Sequence, residues 1–232
     1  MGMVVRVSDG GQRASDRARY RLAGWAAMAA ATAFLVQPLS VGLMPFELED
    51  MRDPVALSAY WWAGTIQAVQ FAVMAGAVFA LVVALPGFGS PSPWDRVIVA
   101  LGAVSGVGFL LQSSLSAATY SWWLMQDASS FTPDPEVRSA ILFGTFVAGY
   151  TFLGAANLAT AGWLLGLVLA MRRSGLAGTG FTVFSVVVAT VLVAGTVTGF
   201  TIPTVLLHLP LWVALGVKLL RTGRAETATV GP

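Results

Sequence analysis

The apolar residues of this chain gather in runs too long and too numerous to hide inside a soluble core of its size. Six runs approach or exceed the ~20 residues that a helix needs to cross the hydrocarbon layer. They are Leu22 to Met44, Trp61 to Leu85, Val97 to Thr119, Ala140 to Met171, Phe181 to Ile202 and Thr204 to Leu220. Helix is the element each run predicts, because a backbone in lipid has no water to satisfy its polar groups. The fourth run is long enough to tilt or to begin outside the membrane, and the sixth is short, joined to the fifth by little more than a turn at Pro203. The expected fold class is all-α, a polytopic transmembrane helix bundle of six spans.

Composition agrees with that reading. The 232 residues are 56% hydrophobic and 10% charged, with a mean hydropathy of +0.77, whereas soluble domains carry about 25% charged residues. Lysine and arginine then set the orientation, since cytoplasmic loops retain them. With the N-terminus inside, eleven of the thirteen basic residues fall on the inner side and only Arg52 and Arg138 outside, while seven of the eleven acids fall outside. Both termini are expected in the cytoplasm of a multi-pass cell-membrane protein. Residues 1–21 read as a basic cytoplasmic N-terminal segment, 22–220 as the six-helix transmembrane domain and 221–232 as a cytoplasmic tail. The first apolar run is too long for a signal-peptide core and lacks a clear small-residue cleavage site, so it reads as an uncleaved span.

Several chemistries are excluded at this level. The chain has no cysteine and one histidine, which removes thiolate metal sites, iron–sulfur clusters, disulfides and histidine-box di-iron chemistry. His208 has no Cys, Asp or Glu at helical spacing, so no metal site is expected. No cofactor is expected either, for there is no Walker loop, Rossmann fingerprint, GxSxG elbow or HExxH motif. The pI near 9.4 does not point to nucleic acid, because the basic residues flank apolar segments. Lys218, the only lysine, lies close to the end of the sixth run and is expected to snorkel to the inner surface.

The two faces of the bundle differ. Inner connectors Pro86 to Asp95 and Ser174 to Gly180 are glycine, proline and serine turns, whereas the outer segments Pro45 to Tyr60 and Tyr120 to Ser139 are longer, acidic and aromatic. Asp50, Asp53 and Asp127 are the candidate catalytic carboxylates there. Trp61, Trp62, Trp122 and Trp123 either mark the headgroup level or line a pocket able to stabilise a cation. Within the runs, Gln37, Gln67, Gln70, Gln112 and His208 lie roughly 6 to 14 Å below the outer boundary at ~1.5 Å per residue. This polar stratum is either interhelical hydrogen bonding or a substrate-binding recess. The glycine pairs Gly102 with Gly106, Gly162 with Gly166 and Gly195 with Gly199 are read as close-packing positions only.

The stretches Asn157 to Arg173 (NLATAGWLLGLVLAMRR) and Leu211 to Arg221 (LWVALGVKLLR) resemble bacterial six-helix integral membrane proteins of unknown function. In size, tryptophan content and outer carboxylates the chain is also similar to the small integral-membrane terpene cyclases. That second resemblance implies proton-initiated cyclisation of a lipophilic isoprenoid substrate: Asp50, Asp53 or Asp127 as acid, Trp61, Trp62, Trp122 and Trp123 stabilising the cation, and His208 or a glutamine taking the last proton. Such enzymes have seven helices with acids inside them; this sequence predicts six, with acids confined to loops. Two further readings stay open, a non-enzymatic binder or carrier that holds its ligand at the glutamine stratum, and a scaffold subunit. The partners expected are the lipid bilayer and a lipophilic small molecule, and the sequence does not define an oligomeric state.

Overall fold

A computed structural model describes residues 9–42, 54–85, 93–126, 135–199 and 202–228. They form six helices: α1 (Asp9–Gly42), α2 (Pro54–Ala84), α3 (Pro93–Gln126), α4 (Pro135–Arg173), α5 (Thr179–Thr198) and α6 (Ile202–Ala228). Within the described residues, four helices are long and apolar enough to cross a membrane: α2, α3, α4 and α5.

Most of the helices outrun the apolar blocks that predict them. Apolar content marks only the stretch in hydrocarbon, whereas backbone hydrogen bonding continues into water as long as nothing stops it. Three starts are set by proline: Pro54, Pro93 and Pro135 each open a helix, where the missing N–H has no intrahelical partner to lose and the fixed φ already suits a helix. The segments between helices are correspondingly shorter than the expected loops, since 54–60, 120–126 and 135–139 are helical. The fifth boundary also moves. α5 stops at Thr198 because Gly199 takes a left-handed conformation, φ 72°, so the turn precedes Pro203, which falls in the first turn of α6. Gly199 is thus a helix stop rather than a packing position.

The α4–α5 joint shows the same logic in more detail. Gly175 adopts φ 75°, its N–H donates to the Arg172 carbonyl at 3.1 Å, and the Leu176 N–H donates to the Met171 carbonyl at 2.8 Å. This is a Schellman stop, with the apolar Leu176 and Met171 flanking the glycine.

Each helix packs on its neighbours in sequence, and α6 returns to pack on α1, so the six form a closed ring whose sparsest seam is α5–α6. The α1–α6 seam is antiparallel. A Cβ at Gly24 would lie 2.6 Å from Leu220 Cγ, one at Gly216 would lie 2.9 Å from Met28 Sδ, and Gly223 faces Tyr20 and Arg17. The first and last described segments therefore meet at one end of the bundle. Large side chains fill the middle, among them Trp163, Trp212, Phe109, Met74 and Met171. The Trp163 and Trp212 rings approach to 6.1 Å across the ring of helices.

Small residues let the backbones close in. On α1 the buried positions include Ala23, Ala27, Ala30 and Ala31. Gly102 and Gly106 meet Val82 and Phe79 of α2, and Gly162 and Gly166 meet Leu101 and Ile98 of α3, as expected for helix association in lipid. Two short hydrogen bonds tie helices together: the Ser113 hydroxyl donates to the Ala68 carbonyl at 2.6 Å, and Ser105 and Thr160 hydroxyls pair at 2.6 Å. Lys218 of α6 sits 5.8 Å from the Phe181 ring at the start of α5, near the basic end of the bundle.

Gly108 is a stringent test of this packing, because a Cβ there would lie 2.8 Å from Ala156 Cβ and 3.2 Å from its backbone, with no flexible side chain to yield. Gly108→Ala is expected to cost about 1–3 kcal/mol, read as a lowered melting temperature in detergent. Gly76→Ala, at a position with nothing within 4 Å, should leave it within about 0.5 kcal/mol of the parent.

Candidate functional site

Interhelical contacts fix which residues share a depth. Ser113 bonds to Ala68, the Phe34 and His208 rings lie 4.5 Å apart, and Gln112 abuts Gly149, where a Cβ would meet its Oε1 at 2.9 Å. Gln67, Gln70, Gln112 and His208 thus occupy one layer of the bundle. They do not converge on one recess within it.

His208 packs inside the ring at 2% exposure, against Phe34 of α1. The Trp212 indole N–H donates to its Nδ1 at 3.3 Å, and one turn of helix separates the two residues. A role as proton acceptor at Nδ1 would require this bond to open. Gln112 turns instead toward α4: its Nε2 donates to Ser116 Oγ at 3.4 Å, and its Oε1 is buried without a hydrogen-bond partner. Gln67 is half-buried.

Gln70 faces a third way. It is 3% exposed and lines a groove of about 490 Å³ between α1 and α2. The α1 wall is Ala29, Thr32, Ala33 and Val36; the α2 wall is Thr65, Ile66, Val69 and Val73 with Gln70. These positions follow helical spacing, so each wall is one stripe of its helix. Trp25 extends the α1 stripe one turn beyond Ala29, and Trp62 extends the α2 stripe one turn beyond Ile66; both indoles are more than half exposed. Val69 and Val73 are exposed as well, so the groove opens outward, toward the surface a bilayer would cover. Its polar groups are Gln70 and the hydroxyls of Thr32 and Thr65. The Thr32 hydroxyl donates to the Met28 carbonyl at 3.0 Å, which leaves its oxygen lone pairs available.

The remaining predicted site positions fall where side chains are not described. Asp50, Asp53 and Asp127 lie outside the described residues. Trp61, Trp122, Trp123 and Gln37 fall on described helical backbone, but their side chains lie outside it. Among the described residues no group of three or more His, Asp or Glu side chains could hold a metal ion. The groove's α1 wall is what sequence reasoning missed. Its signal was present as Trp25, Ala29, Thr32 and Val36 at spacings of four, three and four, a stripe interrupted by small and hydroxyl side chains.

The architecture is that of a helical membrane protein. Comparison with models of protein families, with curated proteins and with solved structures yields no match.

The His208–Trp212 bond can be measured directly. A double-mutant cycle of His208→Leu and Trp212→Phe should give a coupling of about 0.6–1.5 kcal/mol in thermal unfolding in detergent. Strictly additive losses would show that the two rings merely touch.

Proposed function

We propose that this chain is a six-span membrane protein, with both ends in the cytoplasm, that binds a lipophilic small molecule in the α1–α2 groove. Binding, rather than bond-breaking, is the activity the groove is suited to. The single observation that carries the reading is Gln70, an amide 3% exposed in a mostly apolar groove of ligand-sized volume. A buried polar group among apolar residues is how small-molecule sites fix orientation. The lining contains no acid, no base and no nucleophile stronger than a hydroxyl. The exposed valines beside the opening favour lateral entry from the bilayer.

The topology has separate support. Eleven of thirteen basic residues lie on one side when six spans are counted, and the antiparallel α1–α6 seam puts Gly223 beside Tyr20 and Arg17.

Two measurements test the proposal. Because the chain has no cysteine, Ser129→Cys and Ser174→Cys can each report a single site. An impermeant maleimide should label the first on intact cells and the second only after permeabilisation; the reverse pattern overturns the orientation. For binding, a neutral solvatochromic naphthyl ketone should associate saturably with the protein in nanodiscs. Ala29→Trp, which fills the groove from an exposed position, should weaken that association at least tenfold, while Val186→Trp on α5 should not. Equal binding by parent and Ala29→Trp would defeat the groove reading.

A further inference from the structure

We infer that the corner of the bundle where α4 and α6 leave the membrane is a binding site for the phosphate headgroup of an anionic phospholipid. It lies apart from the α1–α2 groove and concerns a different partner.

Two contacts fix the directions of three helices. A Cβ at Gly154 of α4 would lie 3.4 Å from Thr196, late in α5, and Lys218, late in α6, lies 5.8 Å from the ring of Phe181, early in α5. Both α4 and α6 therefore run against α5 and parallel to each other. Inside the bundle the Trp163 and Trp212 rings approach to 6.1 Å, which sets these two residues at one level. Nine residues further along each helix stand Arg172 and Arg221, ~13 Å on and about two and a half turns round. Where the indoles point inward, these guanidinium groups thus point outward, and both arginines are exposed while both tryptophans are buried. Arg173 and Lys218 lie within a turn of them, so four cations from two parallel helices flank the start of α5.

Depth selects the partner. The apolar blocks end at Met171 and Leu220, so the arginines begin where hydrocarbon stops, at the level of lipid phosphates. Lys218, three residues before Arg221, reaches the same level along its alkyl stem. The positive charge at this corner is left over. α5 has no charged side chain, α4 has no acid after Glu136, and α6 has none before Glu226. On α3, which packs on α4 through Ile98 and Gly166, Asp95 is followed directly by Arg96, so that helix brings no net negative charge. At the start of α1, by contrast, Arg19 lies 3.8 Å from Asp16. Like charges gathered at the edge of an apolar medium repel one another unless anions stand between them. A phosphodiester answers this well, because a guanidinium can donate two parallel hydrogen bonds to its oxygens.

The test counts lipids bound to the purified full-length protein in a neutral detergent by native mass spectrometry. Phosphatidylglycerol should bind on the order of tenfold more tightly than phosphatidylcholine with the same chains. Arg172→Gln with Arg173→Gln, and Lys218→Gln with Arg221→Gln, should each weaken phosphatidylglycerol on the order of tenfold. Arg19→Gln with Arg96→Gln, two exposed arginines at the same end of the bundle, should change it less than about twofold. Phosphatidylcholine binding should stay the same in every variant and so reports that each is folded; the comparison of the two lipids is read on the parent and stands however the variants behave. Equal binding of the two lipids overturns the proposal. So does a loss no larger in the first two double variants than in the third, which would make the attraction a diffuse one of the whole basic end. Displacement of phosphatidylglycerol by millimolar inorganic phosphate would assign the corner to a soluble anion and overturn it as well.

Discussion

Hydrocarbon offers apolar side chains nothing to flee, so burying area does not drive one helix onto another as it does in water. What remains is closeness: dispersion grows steeply as backbones approach, and only small residues allow the approach. The bundle is built on this constraint. Gly24 and Gly216 admit Leu220 and Met28 at the α1–α6 seam, Gly108 rests on Ala156, and the glycine pairs of α3 and α4 receive side chains from the helix next door. Bulk is then placed inside the ring, where Trp163 and Trp212 fill what small residues at the seams leave open.

The same solvent dictates where polar atoms go. Exposed hydroxyls at Thr32, Ser114, Thr151, Thr190 and Thr198 each donate to the carbonyl one turn back on their own helix, so these five protons are not left facing lipid. Ser113 instead works between helices, and so does Ser105, through Thr160, whose hydroxyl also donates to the Ala156 carbonyl on its own helix. Against this background the α1–α2 groove is distinctive, since a buried primary amide, Gln70, stands in a wall that opens to the side.

Much of the architecture is legible in the chain. Six apolar runs correspond to six helices, and counting residues from the run ends places Gln67, Gln70, Gln112 and His208 in one layer. Depth is a one-dimensional property, fixed by a constant rise per residue. Direction is not. Whether Gln112 turns to α4 and Gln70 to α1 depends on how each helix rotates to seat its glycines against a neighbour, which requires knowing the neighbour. Helix ends fail for a related reason: hydropathy stops at the membrane surface, whereas the helix stops at a glycine able to take positive φ or starts at a proline. Pro54, Pro93, Pro135 and Gly199 carried that information, but a reading based on apolar runs passes over them.

Closure of the ring by α6 on α1 also orders the events of synthesis. The alanine-rich face of α1 is made well before its α6 partner, which follows some 180 residues later. At ~5–20 residues per second, that face waits on the order of ten seconds or more for its partner. The alanines and glycine at Ala23, Gly24, Ala27, Ala30 and Ala31 tolerate the wait well, because they expose little bulk. The ring can thus be left open until α6 arrives.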